Sequence, residues 1–110
     1  MKAKLGGWLV TAQGRICPFC GRPFHPNPQS TEAHWLPSVD HVVALSKGGY
    51  DGWGNVLAAH RKCNAAKSNR SPTACELIWL MAVCERIKRP MQLRPRMYGM
   101  PVRLRPMAWI

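Results

Sequence analysis

Two pairs of metal-binding side chains, far apart in the sequence, constrain the fold of this chain more than any other feature. Cys17 and Cys20 are separated by two residues and followed by Gly21, and His60 and Cys63 repeat the same spacing. This spacing is typical of zinc knuckles, in which a tight turn directs both ligand atoms toward one ion. Three thiolates and one imidazole make a tetrahedral set with no open position, so we predict a structural Zn²⁺ site.

The fourth ligand of this site has two competitors. Cys75 or Cys84 could replace His60, although both are also explained as small buried apolar residues of a following helix. The chain has five cysteines, and its first apolar patch is too brief for a secretory signal, which favours metal ligation or free thiols over disulfides. A structural zinc contributes about 10 to 16 kcal/mol in small fingers, which can decide whether so short a chain folds.

The charge of the chain favours a polyanionic partner. Sixteen Lys and Arg against five Asp and Glu give a net charge of +11 and a pI near 10.2. Release of counterions then makes nucleic acid the default partner. An anionic membrane surface is the competitor, but no apolar run approaches the roughly 20 residues that span a bilayer. We expect a cytoplasmic protein, in a bacterial or phage-infected host cell, that binds DNA and no membrane.

An acid, an imidazole and an amide accompany the second ligand pair. Asp40 and His41 lie on a β-prone run, followed by a turn-rich stretch and by residues 56–60, which could be a second strand or the approach to the knuckle. Asn64 lies at the start of a helix-compatible segment that ends before Pro72. An acid and an amide can hold a hard divalent cation, and a neutral imidazole can take a proton from water.

Together these motifs resemble the HNH (His-Me finger) endonucleases, and the resemblance covers residues 17–70. It implies an α+β fold with a zinc-stapled ββα-metal core, and phosphodiester hydrolysis in DNA. His41 would be the general base, and Asp40 and Asn64 would hold the catalytic ion, Mg²⁺ or Mn²⁺, with other divalent ions also possible. Asn55 matches the position that braces the loop and orients the base.

Four of these positions have a second explanation or an open question. Many members of the family have a cysteine where this chain has His60, which is still a competent ligand. Asn55 is equally explained as an ordinary turn asparagine. Asp40 and His41 should face opposite sides of a regular strand, so both serve one phosphate only if a bulge re-aims a side chain or the substrate wraps the strand's end.

A helix is predicted over about 73–88, packing on the core. Thr73 and Glu76 have the spacing of a capping box at its start. The i, i+3, i+4 pattern predicts one buried face and no chemistry for this helix. The residues of that face are Leu77, Leu80, Met81, Cys84 and Ile87.

The domain organisation follows from these elements. We predict a single nuclease domain over residues 1–90, in which residues 1–16 could be a strand or a short helix. His25 and His34 lie in a Pro-rich loop and are explained as solvated histidines. Residues 91–110 form a basic tail rich in Pro and Arg, which could lie along phosphates or wrap the domain.

Several basic residues near the candidate site could contact DNA phosphates, which would position the substrate without specifying its sequence. They are Lys47, Arg61, Lys62, Lys67 and Arg70. A rival function is a zinc-stabilised nucleic-acid-binding module that does not cut. A third is a small subunit of a phage packaging or restriction assembly, with a protein partner and an oligomeric state that the sequence does not define.

Overall fold

The computed structural model describes residues 3–94 and shows a small α+β fold over that range. The helices are α1 (Ala3–Ala12), α2 (Arg61–Lys67) and α3 (Ala74–Ile87), and the strands are β1 (Pro37–His41) and β2 (Val56–His60). The two strands pair antiparallel, with His41 opposite Val56, and α2 follows β2 without a loop. The predicted order of strand, strand and helix is therefore present.

The N-terminal segment, for which the sequence left strand and helix open, is helical. Helix α1 is followed by a buried glutamine, Gln13, whose side chain reaches β2. Its Nε2 donates to the carbonyl oxygen of Ala58 at 2.9 Å, and the Ala58 N–H donates to its Oε1 at 2.6 Å. One side-chain amide thus satisfies both backbone polar groups of Ala58 on the outer edge of β2, as a third strand would.

The apolar core lies between the strands, α1 and α3. Strand β2 is buried along its whole length, because β1 pairs with one edge, Gln13 bonds to the other edge at Ala58, and helices α1, α2 and α3 pack against the strand. The larger buried apolar side chains are Leu9, Val10, Phe24, Val42, Val43, Val56, Leu57, Leu80 and Val83. This core fixes the end of β1, where the candidate catalytic residues lie.

Helix α3 begins at the predicted capping box. The Glu76 N–H donates to Thr73 Oγ1 at 3.2 Å, and the Thr73 N–H donates to Glu76 Oε2 at 3.4 Å. The predicted buried face is wrong at Met81, which is 57% exposed, whereas Val83 is buried. The stripe that packs on the core includes Leu80 and Val83, and Met81 lies one residue, about 100° around the helix, beyond it.

The long connection between β1 and β2 is supported by the last described residues. The Tyr50 N–H donates to the carbonyl oxygen of Leu93 at 3.0 Å, and the Gln92 N–H donates to that of Gly54 at 2.9 Å. The part of the predicted tail up to residue 94 therefore packs on the domain. The remainder, 95–110, lies outside the described residues.

Within residues 3–94, no helix combines the length and the apolar composition that would carry it across a bilayer.

Candidate functional site

The four predicted zinc ligands come together in one cluster. The ligand atoms of Cys17, Cys20, His60 and Cys63 all lie within 4.8 Å of one another, and Cys20 Sγ lies 3.4 Å from His60 Nδ1. Ligand atoms around a tetrahedral zinc ion are about 3.3 to 3.8 Å apart. The donor set and its spacing therefore fit a zinc ion, and the four residues form a potential zinc-binding site.

Local structure explains how each pair is formed. Cys17 and Cys20 lie on a turn closed by the Gly21 N–H, which donates to the carbonyl oxygen of Cys17 at 2.9 Å, with Gly21 at φ 73°. His60 is the last residue of β2 and the N-cap of α2, and Cys63 follows in the first turn of that helix. The abrupt change from strand to helix directs both side chains to the same side.

The surroundings of the cluster favour a neutral imidazole. The His60 ring is buried, with the Phe24 ring centroid 4.7 Å away and that of Trp35 at 5.2 Å. Burial lowers the pKa of His60. Burial, together with the neighbouring Cys17, raises the pKa of the Cys63 thiol to about 12. A metal ion would therefore find the imidazole ready to bind but would displace a proton from Cys63.

The two cysteines of α3 do not belong to this cluster. Cys84 is buried, as predicted, but Cys75 is exposed, so its predicted role as a small core residue is wrong. Neither is among the residues that could share an ion with Cys17. Within residues 3–94 the alternative fourth ligands are thus excluded in favour of His60.

His41, the predicted general base, ends β1 and faces the long loop. Its side chain is 18% exposed, and its Nε2 lies 2.8 Å from Oδ1 of Asp51, which is 64% exposed. A carboxylate can only accept a hydrogen bond, so Nε2 carries the hydrogen and, in the neutral ring, Nδ1 is the basic nitrogen. The spacing pattern assigned no role to Asp51, because its separation from His41 depends on the length of a loop.

Asn55 braces this loop from the inside. The fully buried side chain accepts from the Val43 N–H at 2.9 Å and donates to the carbonyl oxygens of Val43 at 3.0 Å and Tyr50 at 2.7 Å. Nearby, a Cβ on Gly49 would lie 1.8 Å from the Val43 carbonyl oxygen, so only glycine allows this approach. The loop that carries Asp51 is therefore fixed at both ends.

Asp40 faces the opposite way, as expected for the neighbour of His41 on a strand. It is 2% exposed, and both carboxylate oxygens accept from the Nζ of Lys67, at 3.1 and 2.9 Å. The same ammonium donates to the carbonyl oxygens of His41 at 2.8 Å and Val42 at 2.9 Å. Burial raises the pKa of Asp40, and the Lys67 ammonium opposes that rise.

The predicted phosphate contact of Lys67 is wrong, because this side chain is 3% exposed and its ammonium is directed into the protein. Its second acidic neighbour is Glu76, whose Oε2 lies 3.9 Å from Nζ. Glu76 also accepts from Arg70 Nη2 at 2.7 Å. A network of two acids and two bases, of which only Arg70 is exposed, therefore links α2, α3 and the end of β1.

Asn64, the second predicted ion ligand, lies on the same face of α2 as Lys67. Its Nδ2 donates to Ser38 Oγ at 3.1 Å and to the Val39 carbonyl oxygen at 3.2 Å. Ser38 and Asp40 share one face of β1. Because Asn64 contacts Ser38, the two predicted ligands, Asp40 and Asn64, lie on the same side of the strand. Carboxylate and amide oxygens suit a hard divalent ion, but the Asp40 carboxylate already holds an ammonium in this structure.

The other predicted DNA-contact residues lie at the surface. Lys47, Arg61 and Lys62 are exposed. Lys62 Nζ lies 4.7 Å from the centroid of the half-buried Trp35 ring. The two loop histidines of the Pro-rich segment are exposed and stay outside the metal cluster.

Comparison with known proteins agrees with this geometry. A family model described as HNH endonuclease matches residues 17–70. The match begins at the first cysteine of the metal cluster and ends just after α2, so it includes both strands and every site residue discussed above except Glu76. A search of curated proteins gives no significant match. Over residues 17–70, the chain therefore belongs to the HNH endonuclease family.

Proposed function

We propose that this protein is a metal-dependent DNA endonuclease that hydrolyses phosphodiester bonds. The observation that supports this most directly is the His41 imidazole, held by Asp51 at 2.8 Å on the scaffold of an HNH domain. Hydrolysis requires a nucleophilic water, stabilisation of charge on the phosphate, and a leaving oxygen that does not depart as a free alkoxide. The residues of the site can be assigned to these needs.

His41 would generate the nucleophile. With Nε2 bonded to Asp51, Nδ1 of the neutral ring is left to accept a proton from water. Asp51 fixes the tautomer and the ring orientation, and Asn55 fixes the loop from which Asp51 projects. The imidazole is therefore held in position before the substrate arrives, which is what an efficient base requires.

Asp40 and Asn64 would hold the divalent ion, Mg²⁺ or Mn²⁺, as oxygen donors on one side of β1. The ion would supply positive charge to the phosphate oxygens and the leaving 3′ oxygen. We further infer that Cys17, Cys20 and Cys63, with the His60 imidazole, hold a structural Zn²⁺ ion.

DNA would be held by surface charge. The net charge of +11 attracts a polyanion, and the exposed Lys47, Arg61 and Lys62 lie on the elements that form the site. Arg70 is committed to Glu76, so it is a weaker candidate. Contacts of this kind set position and orientation, and we expect relaxed sequence preference.

A plasmid-nicking assay with Mg²⁺ or Mn²⁺ tests the proposal. We expect the zinc-loaded wild type to nick or cut DNA and His41→Ala to be slower by about 10² to 10⁴. His34→Ala is the matched control, because it removes an exposed histidine that lies outside the site. Equal cleavage by wild type and His41→Ala would remove His41 as the base.

A non-catalytic DNA-binding module is the second candidate, and one observation favours it. The carboxylate of Asp40 is closed off by Lys67, as a site that never binds a catalytic ion would be. In that case the wild type would bind DNA with a strong dependence on salt but would not cleave it, whichever divalent ion is added.

A further inference from the structure

The Lys67 ammonium occupies the position from which a cation would contact Asp40. It donates to both oxygens of that carboxylate, at 3.1 and 2.9 Å, and the two side chains are almost completely buried. An ammonium and a divalent ion on the same buried carboxylate would lie within a few ångströms of each other. Their repulsion would be strong, because little solvent is present to screen it.

We propose that Lys67 is a displaceable counter-ion of Asp40, which a divalent ion must move toward Glu76 in order to bind. This inference rests on the proposed function, since it takes Asp40 as an ion ligand. Lys67 thereby sets the affinity of the site for the ion. In the absence of the ion it neutralises a buried carboxylate that would otherwise destabilise the fold.

A second carboxylate, that of Glu76, lies near the Lys67 ammonium and could pair with it after displacement. Glu76 Oε2 lies 3.9 Å from Nζ, and Glu76 is itself buried beside Arg70. A shift of about one ångström would bring Nζ into hydrogen-bond distance of this second carboxylate. The positive charge of Lys67 would then be neutralised by Glu76 instead of Asp40, so neither a buried cation nor a buried anion would be left unpaired.

The same displacement would reach the proposed base. Lys67 also donates to the backbone carbonyl oxygens of His41 and Val42, and the first of these belongs to the peptide bond that follows His41. Movement of the ammonium alters these bonds, so binding of the ion and the position of the imidazole are linked. Lys67 is therefore a positioning residue that contacts neither the ion nor the substrate.

Binding of Mn²⁺ to the zinc-loaded protein, measured by electron paramagnetic resonance without DNA, tests the proposal. Lys67→Met keeps the length of the side chain and removes its charge, so we expect Mn²⁺ to bind at least about tenfold more tightly. Lys62→Met is the matched control, because it removes an exposed lysine from the same helix, and we expect a change of less than about twofold. Asp40→Asn should lose this binding.

Two results would overturn the proposal. One is Mn²⁺ affinity in Lys67→Met that is equal to or weaker than that of the wild type. The other is unchanged affinity in Asp40→Asn, which would place the ion elsewhere.

If Lys67→Met does not fold, NMR of the wild type tests the displacement of Lys67 instead. Burial protects the Lys67 ammonium from solvent exchange, so its nitrogen and proton signals can be followed during a Mg²⁺ titration. We expect these signals to shift with the midpoint of Mg²⁺ binding, and binding without a shift contradicts the displacement. Because no cleavage is measured, a wild type that binds Mn²⁺ as expected but never cuts DNA would refute the proposed function alone.

Discussion

At the scale of single residues, we expect the contact between His41 and Asp51 to affect the rate of cleavage more than the free energy of unfolding. Asp51 is 64% exposed, so water screens the pair and it adds little to the free energy of unfolding. The orientation of the ring, in contrast, depends on this contact, because the carboxylate selects Nε2 as the nitrogen that carries hydrogen. The pair should therefore matter for rate and hardly at all for stability.

Asp51→Asn tests this separation. An asparagine can present its NH₂ group to Nε2 and favour the wrong tautomer, so we expect kcat to fall by about 10 to 100-fold with KM nearly unchanged. The thermal midpoint should stay within about two degrees of the wild type, because about 1 kcal/mol shifts the midpoint of a domain of this size by roughly 4 to 8 °C and a screened pair contributes only a small part of that energy. Steady-state cleavage of a duplex oligonucleotide and thermal unfolding give both values.

Glu32→Gln is the matched control for Asp51→Asn. Glu32 lies 3.2 Å from an exposed histidine, His34, outside the site, so the same chemical change there should leave cleavage intact. In a His41→Ala background, Asp51→Asn should add no further loss. An additional loss in that background would show that Asp51 acts independently of the imidazole.

A second prediction at this scale concerns the reaction of the cysteines with iodoacetamide. Burial raises the pKa of the Cys84 thiol, which keeps it protonated and unreactive at neutral pH, whereas Cys75 is exposed. We expect Cys75 to be alkylated fastest in the zinc-loaded protein and Cys84 only after denaturation. Mass spectrometry of the digested protein locates the label. Rapid labelling of Cys84 in the native protein would contradict its buried position.

The identities of the site residues were predictable from the sequence to the extent that their geometry is local. The spacing of Cys17 and Cys20 fixes a turn, so the ligand pair could be recognised without coordinates. The ion-pair partner of Asp40 could not be recognised without coordinates, because Lys67 lies 27 residues away. A lysine next to a DNA-binding motif is also more often a surface charge. Only the docking of α2 on β1 turns this lysine inward.

At the scale of secondary-structure elements, Gln13 joins α1 to the sheet. Its amide is the only described side chain that bonds to both the N–H and the carbonyl oxygen of Ala58. Without it, the outer edge of β2 would carry two unpaired polar groups inside the core. An isolated two-stranded sheet is marginal in water, so this edge contact helps to keep β2 and the His60 ligand in place.

Gln13→Leu, which keeps the volume and removes the amide, should lower the free energy of unfolding by about 2 to 4 kcal/mol. Equilibrium urea unfolding of the zinc-loaded protein measures the change. Gln29→Leu is the control, because Gln29 is exposed and the same substitution there should cost less than about 0.5 kcal/mol. A loss below about 1 kcal/mol for Gln13→Leu would mean that water replaces the amide at the edge of β2.

The elements themselves were partly predictable. The capping box at Thr73 placed the start of α3, because a cap is a local pattern. The orientation of that helix was not as clear, since Met81 and Val83 are both apolar and periodicity alone does not decide which of them meets the core. The sequence does not decide between strand and helix for residues 3–12, because the burial of this segment depends on α3 and the sheet.

At the scale of the whole molecule, the metal cluster joins the segment before β1 to the junction of β2 and α2. Cys20 and His60 are 40 residues apart, and the chain between them contains β1, the loop that carries Asp51, and His41, the proposed base. The chain therefore leaves the metal cluster at Cys20 and returns to it at His60, so the cluster closes this segment into a loop. Its closure limits how far β1 and α2 can separate, which in turn keeps Asp40 and Asn64 on a common side.

Removal of zinc should unfold the described domain. The binding free energy of a structural zinc, about 10 to 16 kcal/mol, is as large as the whole stability of a small domain, about 5 to 15 kcal/mol. We expect a strong chelator to abolish the helical circular dichroism and the DNA-cleaving activity together, and added zinc to restore both. Cys63→Ser should behave like the chelated protein, whereas Cys75→Ser, which changes an exposed cysteine outside the cluster, should keep the zinc content of the wild type. A circular dichroism spectrum that is unchanged after verified loss of zinc would show that the core of α1, α3 and the sheet folds without the metal.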